Sequence, residues 1–456
     1  MKAISHKLVL KGSYFTATTV DQVEYQQDRL VCIDEEGRIG QISAPDEAGY
    51  QGMIRQAQGE GTFWELAADQ YLLPGFIDLH VHAPQWPNAG LALDRPLNEW
   101  LSTYTFPLEA KFSNADFAAE VYADLVETLL ANGTTTALYF GSVANAGNLE
   151  LVKACLKQGQ RGFVGKVVMD DPDQTPDYYR DSSAQQALQD TEDFILQTQK
   201  LTTTSQIKVT SVVMPRFLPS CSPEALAGLG QLAQKYDLPI QSHCSESDWE
   251  NGYALSTYDK RDAEVLDHFG LLTEKSVMAH GTLLNQDDLA LFRQRGTGIA
   301  HCPISNAYFG NAVLPAKQVV QQQVKIGLGT DISGGFDPSV YQNLRQALIS
   351  ARMLSDGVDH DLAPEKRGTH APSLTAQNAF YLATRGGAAS LNLPTGQIKP
   401  GYFADLQVVH SKYATFMQQS EQDIFEKVMY HTTASEIDQV LVQGQLVVGE
   451  KIIAQA

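Results

Sequence analysis

The sequence predicts an α/β fold: a (β/α)8 TIM-like barrel with a small β-sandwich domain formed by both termini. Three observations lead there. From Pro74 to about residue 353, strand-like and helix-like segments alternate through eight units. Before residue 70 and after about 396 the pattern is of short strands, in HKLVLKGSYFTAT and DRLVCIDEEGRIGQI at one end and GQIKPGYFADLQVVH and VLVQGQLVVGEKIIA at the other. Residue types that bind metals recur where the barrel strands should end, which is where a barrel carries its functional groups. A chain of 456 residues suits one large domain and a smaller one. The expected division is 1–73 with 396–456 for the β domain and 74–395 for the barrel.

Taken in order, Phe76–His82 opens the barrel, started by Pro74-Gly75 and stopped by Ala83-Pro84. Period two puts Ile77, Leu79 and Val81 on one face, and Asp78, His80 and His82 on the other. The i,i+2 spacing lets both imidazoles reach one ion. Asn114 can cap a helix with Phe117, Val121, Leu125 and Leu129 at every fourth position, ended by Asn132-Gly133. Thr134–Phe140 is then a β-branched and aromatic strand. Six further strands are expected over Gly162–Met169, Ile207–Met214, Leu238–His243, Ser276–His280, Gly298–Cys302 and Val324–Asp331, with helices such as Pro223–Tyr236 and Gln286–Arg295 between them. On the last strand Lys325, Gly327, Gly329 and Asp331 share a face, so inward glycines would leave room for a ligand. Residues 354–373 are polar and proline-containing and read as a surface loop or oligomer contact.

Composition narrows the function classes. The net charge of −20 leaves no basic surplus to neutralise phosphates, which argues against nucleic acid. No run of about 18 apolar residues is present, so no membrane-spanning helix is expected, and the first residues lack the apolar run of a signal peptide. Five cysteines, an odd number without framework spacing, fit reduced thiols in a cytoplasm. No Cys-x-x-Cys and no His-x-Glu occurs, so a cytidine-deaminase type of zinc site is absent.

A lone His-x-His is a weak signal, and a lone His243 or His280 is more often a hydrogen-bonded core histidine. Together, His80 and His82, His243, His280 and Asp331 end the first, fifth, sixth and eighth strands, in an order that converges on one axis. Three imidazoles and a carboxylate suit zinc, or iron, better than magnesium or calcium.

The strings PGFIDLHVHAPQ, HCSE, AHG, HCPISN and GLGTDISGG resemble the amidohydrolase superfamily, and LNEWLSTYTFPLEAKF and MPRFLPSCS resemble its guanine deaminase family. The resemblance runs through most of residues 70–350. It implies that His80, His82, His243 and Asp331 hold one zinc per chain, which activates a water. A second ion is not implied, because the fourth strand ends Met214-Pro215-Arg216 with no bridging group. It further implies that Asp331 accepts the water's proton, Glu246 shuttles a proton to the ring and His280 orients the nucleophile. Gln85 and Arg216 would read the O6 edge of a purine and Phe217 would pack on its ring, with His82, His243, Glu246 and Asp331 also lining the substrate. The implied reaction is deamination of guanine by a cytoplasmic homodimer of purine catabolism. A pterin or 8-oxoguanine is the alternative ring, and a non-catalytic scaffold the alternative class. Taken without the resemblance, Glu246 could cap its loop, Arg216 could pair with a surface acid, and Trp86 and Trp100 read as pocket wall or core. His301 is expected to make a structural hydrogen bond, and Cys244 and Cys302 have no assigned role. Ala307–Asn311 and Trp86-Pro87 depart from the family pattern near the pocket mouth.

Overall fold

The computed structural model describes residues 7–310, 312–411 and 419–450. Asn311, and residues 451–454 of the expected terminal strand, lie outside the described residues.

Eight strands pair in parallel and in chain order: Phe76–His82, Thr134–Phe140, Arg161–Val168, Val209–Pro215, Ile240–Cys244, Ser276–His280, Gly298–His301 and Lys325–Leu328. Their residues are buried almost throughout, as expected of a parallel sheet covered by crossover helices. The mouth is closed by main-chain bonds between the first strand and the turn after the eighth. Asp331 N–H donates to His80 O at 2.8 Å, and His82 N–H donates to Ile332 O at 2.7 Å. This closure sets two candidate ligand strands side by side.

The helix Ala115–Ala131 forms as its sequence suggests. Asn114 Oδ1 accepts from the N–H groups of Asp116 and Phe117 at 3.0 and 3.2 Å, which satisfies donors the helix start would otherwise leave free. The helices Pro223–Tyr236 and Gln286–Arg295 also keep their expected bounds.

Three expectations for the barrel strands fail. The first strand does not alternate strictly. Ile77 and Leu79 pack with Leu138, Phe163, Val212, Val277 and Ala300 of five other strands, inside the barrel. Val81 instead packs outward on Leu125, Val126 and Leu129. The pairing register shifts between Asp78 and Val81, which resets the alternation and brings both histidines to the mouth. The eighth strand also ends at Leu328, so Asp331 lies on the turn beyond it. Its inward glycines serve the chain and not a ligand. A Cβ at Gly327 would lie 2.7 Å from Gly387 Cα, and one at Gly329 would lie 2.9 Å from His80 Cβ.

The terminal strands form a separate mixed sheet of eight, five from the N-terminal side of the barrel and Leu406–His410, Ile437–Val442 and Gln445–Val448 from beyond it. The helix Tyr50–Glu60, unexpected from the sequence, packs on it through Tyr50 and Ala57. Only Gly75 separates the strand Gln70–Pro74 from the first barrel strand, and a Cβ there would meet Thr135 at 2.3 Å. Arg161, at the start of the third barrel strand, pairs with Asp405 of the terminal segment and ties sheet to barrel. Residues 358–366 are exposed and carry only the one-turn helix Pro364–Arg367, in keeping with a surface loop.

Candidate active site

The strand ends bring His80, His82, His243, His280 and Asp331 together at the mouth, all buried. His82 Nε2 and His243 Nε2 lie 3.1 Å apart. Asp331 Oδ1 is 3.2 Å from His80 Nε2 and 3.5 Å from His82 Nε2. Phe140 floors the group, its ring centroid 5.1 Å from that of His80 and 4.8 Å from those of His82 and His243. His280 and Asp331 have left-handed backbone, at φ 70° and 53°, so the chain turns sharply at each of these sites.

The hydrogen bonds fix which nitrogens are free. His243 Nδ1 lies 2.6 Å from Arg216 O, and a carbonyl can only accept, so Nδ1 carries the proton and Nε2 offers its lone pair to the cluster. His280 Nδ1 is likewise held by Asn306 Oδ1 at 3.0 Å, with Nε2 facing Glu246 at 3.7 Å and Asp331 at 4.0 Å. Burial, and then neighbouring imidazoles, push His82 and His243 well below the usual histidine range. They are therefore neutral near pH 7, the state that ligates metals. Burial opposes the Asp331 charge, but the facing His80 imidazole, and then His280, outweigh it and hold the carboxyl below its ordinary range. Both ring nitrogens of His80 and Nδ1 of His82 are buried without a hydrogen-bond partner. Of these, His80 Nε2 converges with His82 Nε2 and His243 Nε2 beside the Asp331 carboxylate, and that set fits a metal ion with nitrogen and oxygen ligands.

Beside the cluster lies a cleft of about 430 Å³ lined by His82, Gln85, Trp100, Arg216, Phe217 and Glu246 among others. Its wall differs from expectation. Arg216 is paired not with a surface acid but with buried Glu109, donating from Nη1 to Oε2 at 2.6 Å and from Nη2 to Oε1 at 3.2 Å. Burial works against the Arg216 charge, yet Glu109 outweighs it and raises its pKa. Gln85 Nε2 donates to Glu109 Oε1 at 2.7 Å, and Gln85 Oε1 accepts from Ser333 N–H at 3.3 Å. The Gln85 amide group is thus partly spent on Glu109, leaving one Nε2 hydrogen for a ligand. Phe217 leans on Trp249 at 5.4 Å between ring centroids. Burial pushes the Glu246 carboxyl up.

Sequence reasoning missed Glu109, Asn306 and Asp78. Asp78 accepts from Thr330 N–H at 2.9 Å and Thr330 Oγ1 at 2.6 Å, fixing the turn that carries Asp331, and burial pushes its pKa up to about 7. A glutamate set among Tyr104, Phe106, Leu108 and Phe112 was the available signal for Glu109. The structural hydrogen bond expected of His301 is not made through Nδ1, which is buried without a partner. Trp100 lines the cleft as a pocket wall, whereas Trp86 is outside its lining, donating to Asp124 and packing against the Val81–Leu125 core.

Residues 71–447 match the model of the amidohydrolase family. This chain belongs to that family. Family members are metal-dependent, and the His80–His82–Asp331 and His80–His243–His280 groups could each hold an ion. Among its relatives, guanine deaminase of Homo sapiens is 35% identical over 98% of this chain and 98% of its own length. That of Mus musculus is 34% identical over 97% and 96%. A crystal structure of guanine deaminase from C. acetobutylicum with bound guanine superposes with a TM-score of 0.87 at 30% identity, covering 97% of this chain and 100% of that one. E. coli guanine deaminase gives 0.83 at 27% identity, over 97% of this chain and 100% of that one.

Proposed function

We propose that this protein is a guanine aminohydrolase, a hydrolase of cyclic amidine C–N bonds that converts guanine to xanthine and ammonia. The observation that carries the reading is the placing of a donor-rich wall, Arg216 and Gln85, across one cleft from the orphaned imidazole cluster. Full-length similarity to guanine deaminases supports it.

His80, His82, His243 and Asp331 would hold one zinc ion. Bound there, zinc would supply Lewis acidity and a hydroxide at neutral pH. A single ion is favoured because the fourth strand offers no bridging carboxylate: it ends at Pro215, and Arg216 is committed to Glu109. Asp331 takes the proton of the attacking water. Glu246, its pKa raised by burial, delivers a proton to a ring nitrogen. His280, anchored by Asn306, orients the nucleophile and stabilises developing charge through Nε2. The remaining N–H groups of Arg216 donate to the purine carbonyl, with one N–H of Gln85, while Phe217 packs on the ring. The catalytic unit in this reading is 74–395, with 1–73 and 396–456 as the flanking β unit.

A cytoplasmic location fits five free, buried cysteines, and the protein is read as a homodimer. No helix among the described residues is long and apolar enough to cross a membrane. The test is ammonia release from guanine, adenine, 8-oxoguanine and a pterin. Guanine should be deaminated and adenine should be inert, since a site built of donors rejects an amino group in place of O6, commonly by about four decades. Preference for a pterin or 8-oxoguanine would replace the ring assignment and keep the chemistry.

A further inference from the structure

Beneath the turn that carries Glu246, two carboxylates hold the main chain. Asp262 Oδ2 accepts from Ser245 N–H at 2.6 Å, and Glu250 Oε2 accepts from Glu246 N–H at 2.7 Å. Ser245 has left-handed backbone at φ 51°, a conformation unfavourable for a side-chain-bearing residue, so the turn needs such support. Glu250 and Asp262 are 1% and 0% exposed, and because they hold the amides of consecutive residues they lie side by side. Each also has a second oxygen, Oε1 and Oδ1, buried without a partner.

Among the described residues no cation forms an ion pair with either carboxyl, although the Arg261 charge acts on Asp262. Arg261, the nearest, donates from Nε to Asp288 at 2.7 Å and from Nη2 to Leu283 O at 2.7 Å. The other titratable groups facing the pair are Glu246 toward Glu250, and the Cys244 thiol and Asp288 toward Asp262. Two buried anions side by side, their second oxygens both without a hydrogen-bond partner, are not tenable; one proton between those oxygens is. Burial raises both carboxyls, in agreement.

We infer that Glu250 and Asp262 share a single proton between their free oxygens, and that this carboxylic acid–carboxylate pair is the positioning device for Glu246. The inference rests on the guanine aminohydrolase reading. Its consequence is specific. A glutamine at 250 keeps an oxygen for Glu246 N–H and offers NH2 to Asp262, so it imitates the protonated partner. An asparagine at 262 does the same in reverse. With both present, two NH2 groups face each other and no acceptor remains.

Glu250→Gln and Asp262→Asn should each keep kcat on guanine within about threefold of wild type, because each preserves the bond. The double variant should lose on the order of 30-fold or more in kcat, with zinc content and KM unchanged, since Glu246 loses its place while the ligands keep theirs. Its Tm should fall further than the two single shifts summed. Glu250→Ala should lose turnover that Glu250→Gln retains. A double variant no worse than the product of its singles, or a single variant losing more than about tenfold in kcat with its zinc intact, overturns the shared proton. Wild-type protein that releases no ammonia from guanine overturns the functional reading instead, and the Tm comparison then still decides the pair.

Discussion

At the cluster of His80, His82, His243 and Asp331, three ring nitrogens are buried with nothing to bond, while across the cleft Arg216, Glu109 and Gln85 are bonded to one another. Both are buried and polar, but only the wall is complete in the protein alone. The cluster bears a desolvation cost that an ion would offset, so metal binding should add stability there. The wall is a preorganised array of donors, and Glu109 is what allows a guanidinium to stay buried and charged beside a neutral ring. Substitutions in the two regions should therefore fail differently.

The largest effect is expected at the cluster. His243→Ala removes a proposed ligand whose Nδ1 is fixed by Arg216 O, so bound metal and ammonia release should both fall to background. Elemental analysis beside an activity assay checks it, and full metal occupancy would move His243 to the wall side of the comparison. Next is Glu246→Gln, which should keep metal and lose about two to four decades of turnover. Near-normal turnover would return Glu246 to a loop-capping role.

At the wall, Arg216→Ala should keep its metal and cost about 2–5 kcal/mol in kcat/KM for guanine, much of it from the partner left unpaired. Glu109 sharpens this. If an uncompensated Glu109 charge is the main penalty, Arg216→Ala combined with Glu109→Gln should cost less than the two single changes summed. Steady-state kinetics on the four proteins of that cycle gives the coupling, and strict additivity would mean that the pair is not one unit.

The smallest effect concerns His301, whose pKa burial, and then His280, lower to about 4. The folded value lies below the unfolded one, so the unfolded chain binds protons first as pH falls. His301 therefore costs no stability above about pH 6.5, and destabilises progressively from there toward pH 4. His301→Asn should reduce the stability lost between pH 6.5 and 5 by on the order of 1–2 kcal/mol in metal-free protein. Denaturant melts at the two pH values measure it, and an unchanged pH dependence would contradict it.

The fold was legible because parallel strands and amphipathic helices write their periods directly into the chain. Phe76–His82, Thr134–Phe140 and Ser276–His280 have the expected bounds. The cluster was legible because strand ends in a barrel converge. What escaped was local or distant. The register shift at Asp78–Val81 depends on pairing with the neighbouring strand, and period counting cannot sense it. Glu109 meets Arg216 from 107 residues away, through a helical stretch whose sequence reads as apolar packing. Gln85 was rightly placed at the cleft, but its amide direction follows from Glu109 and Ser333, neither of which its own surroundings in sequence reveal.

The most direct measurement is a zinc titration of metal-stripped protein, with xanthine and ammonia formation from guanine followed at each addition. If the orphaned nitrogens and Asp331 form one site that drives the reaction, activity should rise linearly and break at about one equivalent per chain. A break at two equivalents, or turnover of guanine that does not depend on added metal, would contradict the account.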